Sequence, residues 1–78
     1  MTRLALRRLD DESLAPQPDP LLTVEVGAVG PVNDRCFIVL DPCTIDTAHV
    51  GTTCGVIDIL VDPPVRLIPG WYAWGDAS

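Results

Sequence analysis

Cys36, Cys43, His49 and Cys54 form the one set of soft metal ligands in the chain. Zinc takes thiolate and imidazole ligands in a tetrahedron, and its structural sites usually begin with two of them held two to four residues apart. Here the separations are six, five and four intervening residues, so no close pair exists to start a site. Cys36 also sits in an apolar run, where a free cysteine behaves as a small hydrophobe. Cys43, His49 and Cys54 remain as nominal metal or redox candidates, and the expectation is neither metal nor cofactor. Cys43, Asp46 and His49 could instead be read as nucleophile, orienter and base, because a thiolate needs a nearby base or positive charge to become reactive. Sequence proximity does not supply that geometry, and 78 residues leave little core on which to build a thiol enzyme. The chain is therefore read as non-enzymatic.

Two other segments could meet ions. Asp10, Asp11 and Glu12 cluster, but they lack the spaced Asp, Asn and Gly ligands of a calcium loop, and a solvated turn is the simpler reading. Gly51-Thr52-Thr53-Cys54-Gly55 is bounded by glycines, yet it has neither the lysine nor the helix start of a phosphate loop. Three cysteines allow one disulfide and a leftover thiol, and an odd count fits three free thiols in a reducing compartment.

Trp71, Tyr72 and Trp74 sit together near the C-terminus, with Phe37 the only other aromatic residue. On a strand, Trp71 and Ala73 would point to one face and Tyr72 and Trp74 to the other. Either the strand closes the domain's own core, or an aromatic pair is exposed as an interface anchor. Trp and Tyr suit that role because they bury much area at low entropic cost.

The elements that must position these residues read as short strands. Eight prolines and six glycines divide the chain into pieces too short for long helices. Thr2–Leu9 alternates leucines with Arg3 and Arg7, and Ala15–Pro20 carries proline at every second position, which enforces an extended connector. Residues 1–20 are thus an N-terminal arm, an edge strand plus connector, and residues 21–78 a compact β domain. Within it Leu22–Val26 alternates as a half-buried strand, and Val32-Asn33-Asp34 reads as a turn. Cys36–Leu40 is a continuous apolar run, expected as a central strand buried on both faces. Cys43–Gly55 has little periodicity and could hold a short strand or only a loop. Val56–Val61 reads as a strand stopped by Asp62-Pro63-Pro64, and Val65–Ile68 and Trp71–Trp74 flank Pro69-Gly70 as a hairpin. Asp-Pro recurs at 19, 41 and 62, which a duplicated two-strand unit would produce, as would the ordinary use of Asp-Pro to end strands. The expected fold is mainly β: one small domain of about five or six short strands, an antiparallel sheet or a partly open barrel or sandwich, with little helix.

Charge narrows the partners. The net charge is −6 with no lysine, and from Leu9 onward eleven acids oppose only Arg35 and Arg66, which leaves −9. Such a body repels phosphates over roughly 8–10 Å at physiological salt, so direct nucleic-acid binding is not expected. A protein with a basic surface is the natural complement, although acidic surface also serves solubility alone. No apolar stretch approaches the roughly 20 residues of a membrane span, and the N-terminus lacks a signal-peptide core. A cytoplasmic location is expected.

The profile of a short, acidic, lysine-free chain without catalytic motifs resembles the small phage-encoded inhibitors that block host machinery, anti-CRISPR proteins among them. The resemblance is of profile, with no shared motif. It implies a protein-binding inhibitor that mimics nucleic acid by docking on a basic, nucleic-acid-binding surface. Its interface candidates are Trp71, Tyr72, Trp74, Asp41, Asp46 and Asp58. The alternatives are a structural subunit that self-assembles through strand edges or the C-terminal aromatics, and a minor metal or redox protein.

Overall fold

A computed structural model describes residues 2–33 and 36–77. Six strands, β1 (Thr2–Arg8), β2 (Leu22–Val26), β3 (Phe37–Val39), β4 (Cys43–Thr52), β5 (Gly55–Leu67) and β6 (Gly70–Asp76), form two antiparallel sheets, and no helix occurs among the described residues. The larger sheet has the order β2-β1-β6-β3, and the smaller is the β4–β5 hairpin. The fold is mainly β, as the proline and glycine punctuation predicts. Among the described residues no helix is long and apolar enough to cross a membrane.

Alternation along each strand sends one set of side chains inward. Leu4, Leu6, Tyr72 and Trp74 from the larger sheet meet Val50, Ile59 and Leu67 from the hairpin in one buried cluster. Leu22, Val24 and Val26 of β2 pack against its margin. The sandwich is closed where β2 lies against β5.

Four expectations need correction. Thr2–Leu9 is no edge strand: β1 pairs with both β2 and β6, and its Leu4, Ala5 and Leu6 have no exposed surface. Its flanking arginines make the segment look peripheral, but Arg3 turns to the outer face and pairs with Glu25 at 2.9 Å. Arg8 lies over the Tyr72 ring, 5.6 Å from its centroid. The proline-rich segment then returns alongside β1, with the Gln17 amide donating to the Arg8 carbonyl and the Leu21 amide to the Leu6 carbonyl.

Cys36–Leu40, expected as a central strand buried on both faces, is instead the short edge strand Phe37–Val39, paired among the described residues only with β6. Ile38 is 48% exposed, so the apolar run covers one face only. The expected turn at Val32-Asn33-Asp34 lies partly outside the described residues.

Asp62-Pro63-Pro64 does not end a strand. Thr47 pairs with Leu60 and Ile45 with Val65, so Val61–Pro64 bulge opposite Asp46, where prolines forfeit no ladder hydrogen bond. The three Asp-Pro pairs consequently occupy three different settings: the β1–β2 connector, the passage from β3 to β4, and this bulge.

Pro69-Gly70 is a corner between sheets and not a hairpin turn, since β5 pairs with β4 while β6 pairs with β1 and β3. Pro69 offers no amide, and the corner's carbonyls are met by side chains. The Tyr72 hydroxyl donates to the Ile68 carbonyl at 2.6 Å, and the Arg8 guanidinium donates to the Pro69 carbonyl at 3.1 Å. Gly70 has φ +151°, and a Cβ there would lie 2.7 Å from the same guanidinium.

Candidate functional site

β6 divides the aromatic residues between its two faces. Tyr72 and Trp74 face inward, 1% and 7% exposed, and the Tyr72 ring stacks on Phe37 at 5.9 Å. They close the core. Trp71 faces outward, half-buried beside its cross-strand partner Ile38, and is the one of the three placed to meet another molecule.

The soft ligands do not converge. Cys36, Cys43 and Cys54 are all exposed and free. Cys36 lies just outside β3, so its expected role as a buried hydrophobe is corrected. Cys43 and His49 stand six residues apart on one extended strand, about 20 Å at 3.3 Å per residue. Metal bonds of about 2.0–2.3 Å cannot span that distance, and Cys54 lies beyond both, in the β4–β5 turn. Among the described residues no group of three or more His, Cys, Asp or Glu side chains could hold a metal ion. The same separation keeps Cys43 away from His49 as a nucleophile. His49 turns to the neighbouring strand, its Nδ1 2.5 Å from Asp58 Oδ1, while Asp46 accepts from Thr47. The His49–Asp58 pair follows from a cross-strand register that the sequence does not reveal.

The other two ion candidates are occupied by the turns they build. Both Asp10 carboxylate oxygens accept within their own turn, from the Glu12 amide at 3.2 Å and the Ser13 hydroxyl at 3.1 Å. In the 51–55 turn the Thr53 amide donates to the Pro31 carbonyl and the Cys54 amide to the Thr52 hydroxyl. No crown of free amides faces outward at Thr53 and Cys54 for a phosphate.

Because all three thiols are exposed, replacing them together (Cys36→Ala, Cys43→Ser, Cys54→Ser) should change stability by about 1 kcal/mol or less. Thermal melts with and without a chelator check this. A chelator-dependent loss of structure would restore the metal reading.

What remains is the surface and its clefts. All ten described acids are exposed. Residues 41–68 carry Asp41, Asp46, Asp58 and Asp62 against a single arginine, Arg66. Asp58 stands on β5 between Val56 and Leu60, which are 70% and 72% exposed. The outer hairpin face is thus acidic with apolar residues interspersed. Between the sheets, on the side away from β2, a cleft of about 520 Å³ opens between Phe37 on one wall and Ile45, Ala48 and His49 on the other, with Leu67 and Trp74 beneath. A second groove, about 550 Å³, runs past Arg3, Glu25 and Asp76, and its cation is already paired with Glu25.

Comparison with known proteins assigns no relative: no family model matches the chain, and neither a curated protein nor a solved structure matches it.

Proposed function

We propose that this protein is a non-enzymatic acidic module that docks on the basic, nucleic-acid-binding surface of a partner protein and so acts as an inhibitor or decoy. The reading is supported above all by how charge is distributed over the two sheets. Arg3 and Arg8 are engaged within the larger sheet, by Glu25 and by Tyr72 and the Pro69 carbonyl. The hairpin and its approaches keep four exposed acids with one arginine, Asp58 alone among them being bonded to His49. A surface of this kind steers a basic partner towards it from a distance and repels phosphate. Val56 and Leu60 provide apolar contacts within that field, while Trp71 lies on the outer face of the other sheet.

The acids and the aromatic strand enter this reading differently. Asp41, Asp46 and Asp58 all lie on or next to the hairpin and belong to the docking surface, with Asp62 added. Tyr72 and Trp74 support the surface from beneath. The test is capture of basic nucleic-acid-binding protein complexes, freed of nucleic acid, on the immobilised protein. Capture should be abolished by added DNA, which competes for the same basic surface. Capture that DNA leaves intact would overturn the reading of a shared surface.

A further inference from the structure

We infer that the partner contributes an extended strand of alternating apolar and basic residues, which adds to the unpaired edge of β4 and inserts its apolar side chains into the cleft beside Phe37. The inference rests on the acidic docking reading and specifies the partner's chemistry at that surface.

Three observations converge on β4. The first is its edge. Among the described residues Cys43–His49 pairs only with β5, and a two-stranded hairpin is marginal as a sheet. Proteins normally protect such edges with proline, lysine, short length or a covering segment. β5 carries Pro63 and Pro64 and lies against β2, and β3 is three residues long. β4 is ten residues long and contains neither proline nor lysine, and among the described residues Val32 and Asn33 cover only its end, at Gly51 and Thr52.

The second is the cleft, which opens past that same edge. Phe37, Ile45 and Ala48 point inward yet stay half-exposed, whereas Leu4 and Leu6 on the closed side have no exposed surface. A strand added to β4 would send alternate side chains into this space, which is how added strands obtain specificity. Cys43–His49, seven residues without a second neighbouring strand among the described residues, span about 23 Å, enough for a strand of six or seven residues.

The third is charge. The side chains of the added strand that point away from the cleft would lie on the outer face of the hairpin, beside Asp46 of β4, with Asp58 one strand farther away and bonded to His49. Basic residues complement those positions, and acidic ones would be repelled.

The experiment uses the full chain and three synthetic seven-residue peptides: alternating arginine and valine, alternating glutamate and valine, and alternating arginine and serine. Binding is followed by tryptophan fluorescence, and amide hydrogen exchange is measured residue by residue. The arginine–valine peptide alone should bind, with new protection at alternate amides between Thr44 and His49. Filling the cleft with Ala48→Leu should weaken it by about tenfold or more, the loss expected when an anchor's pocket is blocked. Should that variant be unstable, the peptide series on the unaltered chain still decides. If the arginine–serine peptide binds equally well without protecting β4, acidic docking stands and strand addition is overturned. If the glutamate–valine peptide binds as tightly as its basic counterpart, the basic partner is overturned. If the chain alone is a dimer with β4 already protected, the occupant is a second copy and the proposal falls.

Discussion

Trp74→Ala and Tyr72→Ala should each cost about 3–5 kcal/mol, the range for large aromatic truncations in a core. For a domain of this size that lowers the melting temperature by more than about 12 °C. Both rings lie in the cluster shared by the two sheets. Tyr72 loses more than volume, because its hydroxyl holds the Ile68 carbonyl at the corner and its ring and hydroxyl receive Arg8. Trp71→Ser, on the opposite face of the same strand, should cost only about 1–2 kcal/mol, since its surface is partly in water already. Melting curves for the three variants check the ordering. Equal losses at 71 and 74 would mean that the outer face of the larger sheet is also buried, and Trp71 would then offer no contact to another molecule.

The second large effect concerns the N-terminus. Deleting residues 1–9 should abolish folding. β1 hydrogen-bonds to both β2 and β6, and Leu4, Ala5, Leu6 and Leu9 are buried. The milder Leu6→Ala should cost about 2–5 kcal/mol, against a total stability of roughly 4–12 kcal/mol for 78 residues. Amide dispersion in a proton–nitrogen spectrum distinguishes the outcomes. A shortened chain with native dispersion would show that residues 1–9 are dispensable.

How far the sequence disclosed this structure depends on which physical signal each segment carries. Leu22–Val26 is legible because period-two alternation reports a half-buried strand directly, and Trp71–Trp74 because aromatic residues after a Pro-Gly break favour a strand; both are strands. β4 is illegible because a bulge at Asp46 breaks the alternation: Asp46 and Thr47 are both exposed between the inward-facing Ile45 and Ala48. Pro63 and Pro64 suggest a stop, yet the bulge absorbs them. Phe37–Val39 carries enough apolar character for a central strand, and hydrophobicity alone does not state how many neighbours a strand has. The Pro69-Gly70 corner has hairpin composition. Its role as a crossing between sheets depends on Arg8 and Tyr72, remote residues that take over its carbonyls.

The candidate site divides in the same way. Asp41, Asp46 and Asp58 are visible as acids in the sequence, but their grouping on one hairpin follows from the β4–β5 register. The cleft has no sequence signal, because it arises between Phe37 and Ala48 on strands of different sheets. Composition likewise could not show which aromatic face is inward.

The most direct test of acidic docking is the association rate with a captured basic partner, measured by stopped flow from roughly 50 to 300 mM salt. Over that range the Debye length falls from about 14 to about 6 Å. The rate should fall steeply with salt, as expected for steered encounters. Reversing Asp41, Asp46, Asp58 and Asp62 to lysine should slow association by about tenfold or more at low salt. Reversing Asp11 and Glu12 in the β1–β2 connector should leave it within about twofold, and neither set should shift melting greatly, since all six acids are exposed. A rate indifferent to salt and to the hairpin reversals would contradict the account and leave the acids with a role in solubility alone.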